Sequence, residues 1–511
     1  MVAPIQKHKW IILFTFLVFF LVYQYFAIIN PALLINGDDW GYFGSYRSHP
    51  IPRTGWNVTR ILPEYLMPMT GQLSAFFIYP LVGDYLTSAS MALALVMGLF
   101  LSIFMISLYR LYRSLGSSEV ICALLAVMTL GLFFTLFKDN YLSGNIHMFY
   151  GGDYNLYFAY ILPNILNSVV VCELMRQLLL NKRLSILPAD VSKHIQCGWM
   201  ILSIYLCIFS MLFSAGILLA FSLSVIIYRF YVNIRGKGLK RGKIKRFFVD
   251  CIKNFNIVVI TIIGILIAML LETTSIRANA AEFESTYTGS LFSIDFLNRI
   301  GISLSNFLIY IPIMKNYILL IMIFIVLTAG VLFILSKKSL PSKFLKMTSF
   351  CLISMTFLFF FYSVLAAKAG PNYIRQIRCV YGVFFYFVLL SGILGVYIIQ
   401  KVEYLKIFLP LMIAMITMVL INSMWPYNKQ SSGYMREMMQ SKMDVVIEAD
   451  RAGHTQIELY VPKDYPNQLW VVRNAFVDAL YNHGIIENSI KVRALNYSHD
   501  DSFYYVLTDI Y

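Results

Sequence analysis

The sequence predicts an all-α membrane protein that crosses the bilayer many times, followed by a small α/β domain. Of its 511 residues, 59% are hydrophobic and 13% are charged, whereas soluble domains are about half apolar and a quarter charged. Apolar runs of about 20 residues, the length that spans the hydrocarbon core as a helix, recur along the chain. We therefore expect a polytopic domain over residues 1–423 and a second domain over residues 424–511.

About eleven apolar segments are long enough to be drawn as transmembrane helices. The first is too long for a typical signal-peptide core and no small-residue cleavage site follows it, so we interpret it as a retained helix. A short break at Ser214–Gly216 separates two of the segments. The predicted spans are residues 10–30, 89–109, 118–137, 155–180, 196–213, 216–232, 255–271, 316–336, 347–366, 379–400 and 405–423.

The net charge of +15 comes largely from basic residues in short loops between apolar segments. Basic loops stay on the cytoplasmic side, so this pattern places the N-terminus inside and the C-terminus outside. The strongest signal is the basic run Arg235–Arg246. We expect such a run to meet anionic membrane lipid and not nucleic acid. Keeping the break at 214–216 places all the basic loops on one side.

The predicted outer loops at 31–88, 138–154 and 272–315 are longer than most connectors, and a shorter outer loop lies at 367–378. Val58–Met67 predicts a surface helix that Pro63 and Pro68 limit in length. In the C-terminal domain, alternation predicts strands at 456–461 and 502–508, and helical spacing predicts a helix at 467–482.

Several chemistries lack their sequence signature. The seven cysteines lie in or beside apolar segments without metal-ligand spacing, so we predict neither a disulfide framework nor a zinc site. There is no phosphate-binding loop, dinucleotide-binding turn or nucleophile elbow. Few charges lie within the spans; Glu173 and Arg176 are exceptions, and their spacing allows them to pair. The shortage argues against an ion-coupled transporter.

An acidic pair, Asp38 and Asp39, follows the first span, and Trp40 and Tyr42 lie beside it. A carboxylate near the bilayer and beside aromatic rings is partly desolvated, which raises its pKa and suits it to accept a proton from an alcohol. Adjacent side chains point in different directions, so one acid would face the site and the other would orient it. The alternative is two solvated loop acids flanked by interfacial aromatics.

Three basic residues, Lys368, Arg375 and Arg378, lie on a short outer loop, against the orienting rule. Arg375 and Arg378 would share a face if the next helix begins there. Guanidinium groups grip a phosphate through forked hydrogen bonds, so we predict a phosphate site. Anchoring to lipid headgroups is the alternative.

Other outer residues are candidates for binding a sugar. The segment Tyr150–Asn155 combines turn glycines, Asp153 and aromatic rings, as sugar sites do, although a surface turn explains it too. No partner at metal-ligand spacing accompanies His147, which we interpret as structural. The predicted sugar- or acceptor-binding residues are Trp40, Tyr42, Arg53, Arg60, Glu64 and Asp153.

Asp38-Asp39-Trp40-Gly41-Tyr42 resembles the Asp-Glu-x-x-Tyr motif that follows the first span in several families of membrane glycosyltransferases of the GT-C fold. Here aspartate replaces the glutamate and the tyrosine comes one place early. In size, topology and C-terminal tail, the chain is most similar to the phage-type O-antigen glucosyltransferases. The resemblance covers the whole architecture, but its motif is short.

The resemblance implies transfer of a sugar from a polyprenyl-phosphate donor to an O-antigen hydroxyl of lipopolysaccharide at the periplasmic face of a bacterial inner membrane. Asp38 would be the catalytic base, with Asp39 a second candidate, and one base with one displacement inverts the anomeric centre. Lys368, Arg375 and Arg378 would hold the donor phosphate. A divalent metal is an open question. The alternatives are an O-antigen polymerase or ligase and a lipid or sugar transporter.

Overall fold

The computed structural model describes residues 9–44, 51, 58–137, 147–180, 184, 194–234, 241–275, 287, 291, 293–314, 326, 328, 330, 341–402, 429–462 and 474–497. The α-helices are α1 Lys9–Gln24, α2 Gly37–Phe43, α3 Ile61–Leu73, α4 Tyr79–Val82, α5 Tyr85–Ser114, α6 Glu119–Thr135, α7 Tyr154–Leu156, α8 Leu162–Leu180, α9 His194–Ile208, α10 Leu212–Ile234, α11 Arg241–Asn254, α12 Asn256–Thr273, α13 Ile294–Asn306, α14 Tyr310–Ile313, α15 Ser342–Ala369, α16 Ile377–Lys401, α17 Lys429–Arg451 and α18 Asn474–Asn482. Strands β1 and β2 are Gln456–Pro462 and Lys491–Tyr497. Short π-helices occupy Tyr25–Ile29, Ser74–Ile78 and Tyr157–Ile161, and 3₁₀-helices Phe307–Ile309 and Pro371–Arg375.

The all-α membrane architecture is confirmed. Within the described ranges, eight helices are long and apolar enough to cross a membrane: Trp10–Ile29, Tyr85–Ser114, Tyr154–Leu180, Leu212–Val232, Asn256–Thr273, Ile294–Ile313, Ser342–Ala369 and Ile377–Lys401. Seven of these coincide with predicted spans. Two further predicted spans are shorter apolar helices, at Glu119–Thr135 and Gly198–Ile208. The predicted spans at 316–336 and 405–423 lie outside the described residues.

The eighth helix was not expected. Ile294–Ile313 falls within the predicted outer loop 272–315. Its sequence mixes Asp295 and Arg299 with apolar residues, so its mean hydropathy, 1.3, is the lowest of the eight. It contacts the end of α15, where Arg299 Nε donates a hydrogen bond to the Ala367 carbonyl at 2.7 Å. The hydropathy of the sequence does not show that a neighbouring helix accepts a hydrogen bond from this charged side chain.

The break between two spans is real but lies earlier than predicted. Helix α9 ends at Ile208 and α10 begins at Leu212, so Ser214 and Gly216 are helical. A Cβ on Gly216 would lie 2.9 Å from the Phe361 ring. The small residues therefore allow close packing between helices, which is their usual role in membranes, and do not form the turn.

Helix α3 also differs from its prediction as a short surface helix at Val58–Met67. It runs over Ile61–Leu73 with Pro68 inside it, and Met67 and Pro68 are buried. Pro63 occupies the first turn, where a missing N–H costs no helical hydrogen bond. The prolines therefore do not end this helix, and burial against its neighbours holds it.

Polar contacts between distant segments define one end of the bundle. Lys343 Nζ donates to the Leu115 carbonyl, and Lys346 Nζ donates to the Leu178 carbonyl at 3.4 Å. The start of α15 therefore lies beside the ends of α5 and α8. The opposite end of the bundle holds α2 and the starts of α7 and α16.

The two charges predicted within a span, Glu173 and Arg176, are half-buried and form an ion pair. Arg176 Nε donates to Glu173 Oε2 at 2.8 Å, which confirms the predicted pair. Six cysteines whose side chains the structure describes are free and buried: Cys122, Cys172, Cys207, Cys251, Cys351 and Cys379.

The C-terminal segment, residues 429–497, combines helices and strands. Strand β1 confirms the prediction at 456–461, and it pairs in parallel with β2, with Gln456 opposite Lys491. Helix α18 confirms the later part of the predicted helix; residues 467–473 and the predicted strand at 502–508 lie outside the described residues. Helix α17 and strand β2 were not predicted.

Two glycines of α16 test how tightly the helices pack. We expect Gly392→Ala to reduce the free energy of unfolding, because its Cβ would lie 2.0 Å from Tyr112 Oη, which bonds Thr129 at 2.9 Å. Overpacking costs about 1–3 kcal/mol. Gly395→Ala is the matched control, since nothing lies within 4 Å of its Cβ. Both variants gain the same helix propensity. Equal apparent Tm values in detergent would contradict this packing.

Candidate functional site

Helix α2 carries the acidic pair and begins with a complete capping box. The Asn36 side chain accepts a hydrogen bond from the Asp38 amide at 3.2 Å, and the Asp39 carboxylate accepts one from the Asn36 amide at 2.8 Å. This reciprocal arrangement satisfies amides that a helix start otherwise leaves unpaired. It also turns the two neighbouring acids in different directions, as the sequence predicted for adjacent side chains.

Asp39 is fully buried and bonds backbone amides from two separate segments of the chain. Its carboxylate accepts hydrogen bonds from the amides of Ile35 at 2.9 Å, Asn36 at 2.8 Å and Asn155 at 2.6 Å. Burial, together with the charge of Asp153, raises the pKa of Asp39 well above its usual value, although the amides oppose the rise. We therefore revise the predicted catalytic role of Asp39: both its oxygens are occupied by backbone, and it joins the start of α2 to α7.

Asp38 is half-buried and faces a polar cavity of about 180 Å³. Its carboxylate accepts no hydrogen bond from the residues that the structure describes. The cavity brings together parts of the chain from both halves of the sequence. It is lined by Asn36, Asp38, Arg60, Asp153, Asn155, Leu156, Ala159, Tyr160, Met211, Tyr373, Gln376 and Arg378.

Asp153 lies on the wall of this cavity. One carboxylate oxygen caps α7 by accepting from the Leu156 amide at 3.1 Å, and the other accepts from Asn36 Nδ2 at 3.1 Å. Burial raises the pKa of Asp153, while the Asn36 hydrogen bond and the charge of Arg378 lower it. Asp153 is therefore engaged on both oxygens, in contrast to Asp38.

Arg378 reaches the same cavity from the start of α16. Its Nη1 donates to the Gly151 carbonyl at 2.9 Å, its Nη2 donates to Gln376 Oε1 at 2.9 Å, and its guanidinium lies 5.4 Å from the Tyr160 ring centre. Its buried Nε has no partner among the described residues. These contacts fix the guanidinium plane and leave a donor unused.

Arg60 approaches the cavity from the start of α3. Its side chain lies over the Tyr42 ring at 5.2 Å, and its Nη2 makes a long contact, 3.4 Å, with Asn155 Oδ1. Only 8% of Arg60 is exposed, and its Nε has no partner in the described part of the chain. Two guanidinium groups with unused donors on one small polar cavity form a site for an anion.

The other two bases predicted for the phosphate lie elsewhere. Lys368 Nζ donates to the Tyr287 carbonyl, and Arg375 Nε donates to Asn306 Oδ1 at 3.1 Å. Helix α16 begins at Ile377, and Arg375 belongs to the preceding 3₁₀-helix, so Arg375 and Arg378 do not share a helix face. Lys368 and Arg375 attach the 287–306 region to the end of α15, and neither lines the cavity.

Three predicted sugar-binding residues also point away from the cavity. Trp40 is fully buried against Tyr85 and Phe476, and Glu64 is 1% exposed. Tyr42 is 2% exposed and contributes only its ring beneath Arg60. Arg53 lies outside the described residues. Of the predicted sugar- and acceptor-binding residues, Arg60 and Asp153 line the cavity.

The sequence reasoning missed the amide side chains of Asn36, Asn155 and Gln376, which line the cavity. One signal was available, because Asn36 and Asp39 have the spacing of a capping box. The others come from distant loops and had no local signal.

His147 is buried, and its hydrogen bonds define its tautomer. Its Nδ1 accepts from the Phe149 amide at 3.1 Å, so the proton is on Nε2, which lies 2.8 Å from Tyr25 Oη. Burial lowers the pKa of His147 to about 3. This neutral, fully bonded imidazole supports the interpretation of His147 as structural.

Within the described residues, no three histidine, cysteine, aspartate or glutamate side chains converge to hold a metal ion. Comparison with known proteins adds no further assignment: no protein-family model, curated protein or solved structure matches this chain. The assignment of function therefore rests on the cavity and its charges.

The neighbouring acids allow a matched test of stability. In Asp39→Asn an NH₂ group would replace one oxygen and face a backbone N–H, so we expect a loss of about 1–3 kcal/mol, the cost of leaving a buried donor unsatisfied. Asp38→Asn removes no hydrogen bond to described residues and should unfold like the wild type. Thermal unfolding of both variants measures the difference. An Asp39→Asn variant as stable as Asp38→Asn would contradict the three-amide interaction.

Proposed function

We propose that the protein is an inverting glycosyltransferase that takes a sugar from a polyprenyl-phosphate donor. The sugar that the resemblance implies is glucose. The observation that carries the proposal is the shared cavity: Asp38, whose carboxylate accepts no hydrogen bond from described residues, faces the same space as Arg60 and Arg378. A base and an anion site on one cavity are what transfer from a lipid phosphate needs.

The proposed reaction is a single displacement. Asp38 accepts the proton of the acceptor hydroxyl while the oxygen of that hydroxyl forms a bond to the anomeric carbon. The bond from that carbon to the phosphate oxygen breaks, and its electron pair leaves with the lipid phosphate. Arg60 and Arg378 stabilise the charge that grows on this leaving group. The lipid phosphate is a stable anion, so no general acid is required.

The charge distribution supports an outer-face site. The basic residues Arg113, Lys343, Lys346 and Lys401 lie near helix ends opposite to the cavity, and basic ends remain in the cytoplasm. We therefore propose that the cavity opens on the periplasmic side of a bacterial inner membrane. The acceptor that fits the resemblance is an O-antigen hydroxyl of lipopolysaccharide.

Mass analysis of the surface glycan, with and without the protein, tests the function. We expect a gain of one hexose on each repeat. A change in the number of repeats, or loss of the glycan from its lipid carrier, would instead favour the polymerase or ligase alternative. Movement of a lipid-linked sugar across the membrane that survives loss of Asp38 would favour a transporter.

The base assignment predicts the behaviour of Asp38→Asn. The amide cannot accept the hydroxyl proton, so kcat should fall by about 10²–10⁴-fold, the usual contribution of a general base. Donor binding and Tm should stay near the wild-type values, because Asp38 makes no hydrogen bond to described residues. Transfer assays with purified protein and a polyprenyl-phosphate sugar measure both. Near-normal kcat would remove Asp38 from the mechanism.

The anion site predicts different roles for three arginines. Arg60→Gln and Arg378→Gln should each raise the donor KM by about 10–100-fold, since a hydrogen bond to a charged group contributes about 1.5–3 kcal/mol. Arg375→Gln is the control, because Arg375 is exposed and bonds Asn306 outside the cavity. Donor titrations of the three variants compare them. A large effect confined to Arg375→Gln would favour the original phosphate assignment.

A further inference from the structure

The C-terminal segment packs directly on α2, the helix that carries Asp38. Phe476 of α18 meets Trp40 edge to face, with ring centres 4.7 Å apart, and both side chains are fully buried. Asp38 faces the cavity, whereas Trp40 faces Tyr85 and α18. The short helix is therefore held between the cavity and the C-terminal segment.

The contact is closest at the end of α2. A Cβ on Gly44 would lie 2.1 Å from the Cβ and 2.2 Å from the Cα of Ala479. Asn482 Nδ2 donates to the Gly44 carbonyl at 2.8 Å. The end of α2 thus accepts a hydrogen bond from α18 at a position where only glycine fits.

Two further contacts attach the C-terminal segment to the same end of the bundle. His483 bonds Tyr85 through Nδ1, and its ring lies 5.3 Å from the Phe43 ring. Arg436 of α17 donates to Asp84 Oδ2 at 2.6 Å. Asp84 caps α5 through the Thr87 amide at 2.8 Å, so the start of this long helix is also tied to the C-terminal segment.

A helix of seven residues has no stability of its own, because nucleation is costly and marginal helices need at least about 12 residues. The position of Asp38 therefore depends on what packs against α2. The capping box fixes the start of the helix, and α18 covers its far side and its end. A shift of about 1 Å at a reacting group can cost about 10²-fold in rate.

We propose that Phe476, Ala479 and His483 are positioning residues for Asp38, so that the C-terminal segment forms part of the catalytic site. They touch neither substrate nor the reacting atoms; they act by fixing α2. This inference rests on the proposed function for its effect on rate. The mechanical coupling between α18 and α2 can be measured without any reaction.

Gly44→Ala in the full-length protein is the test. Gly44 has φ −93°, which alanine adopts without strain, so the added Cβ acts only by displacing α18. We expect kcat to fall by about 10²-fold and the donor KM to change less, since Arg378 is held by Gly151 and Gln376, outside α2. Hydrogen exchange should accelerate in peptides covering residues 37–43 and stay unchanged in α16. Gly198→Ala, on an exposed helix position with open space, is the control.

A graded pair of substitutions covers the case in which Gly44→Ala fails to fold. Phe476→Ala should likewise lower kcat more than it raises the donor KM, and Phe476→Leu should restore part of the activity because it refills the space beside Trp40. A purely structural role would instead reduce the amount of folded protein at unchanged kcat per folded molecule, and this result would overturn the proposal.

The two proposals can fail separately. If wild-type protein transfers no sugar from a polyprenyl phosphate, the proposed function is wrong, yet faster exchange at 37–43 in the Gly44 and Phe476 variants would still demonstrate the coupling. If wild type is active while both variants keep its kcat and its exchange at 37–43, the positioning role is wrong and the proposed function stands.

Discussion

The arrangement of the cavity depends on the Asp39 carboxylate and the three backbone amides that it holds. Two of these amides, from Ile35 and Asn36, lie just before α2, in the segment that follows the first span. The remaining amide, from Asn155, lies at the start of the span Tyr154–Leu180. One buried side chain therefore brings two chain segments more than a hundred residues apart into a fixed relation. Asp38 is adjacent to Asp39 in the sequence, and Asp153 lies two residues before Asn155, which Asp39 binds. Both acids therefore lie on the same cavity.

Such an interaction is costly to form and hard to replace. Taking a carboxylate out of water is unfavourable, and only hydrogen bonds to both its oxygens offset this. The amides that satisfy Asp39 would themselves be orphaned without it. The proposed function places the second acid under a different requirement, because a base needs a lone pair that is open to the hydroxyl proton. Under this proposal, Asp39 has a structural task and Asp38 a chemical one.

The sequence predicted the membrane class, seven of the spans and the strand at 456–461, because each depends on local hydrophobic pattern. It also singled out Asp38, Arg60, Asp153 and Arg378, which the structure brings to one cavity. Lys368 and Arg375, also predicted, lie outside the cavity, because charge on a loop does not reveal which carbonyl or amide a long side chain will reach. Trp40 and Glu64 were predicted to bind a sugar or acceptor, but both are buried and do not line the cavity. Their burial depends on residues that are far away in the sequence. Helix α13 escaped detection because Asp295 and Arg299 lower its hydropathy, and the contact of Arg299 with the Ala367 carbonyl has no local sequence signal.

The distribution of the arginines follows from the same physics. Arg378 is held by Gly151 and Gln376, and Arg60 rests on Tyr42, so neither guanidinium has to be ordered when an anion arrives. Preorganised donors stabilise developing charge better than mobile ones, because no reorganisation accompanies the reaction. A lysine offers a point charge on a flexible stem and could not be fixed in this way. Under the proposed function, these properties account for two arginines on the cavity wall, whereas Lys368, at the end of α15, bonds the Tyr287 carbonyl.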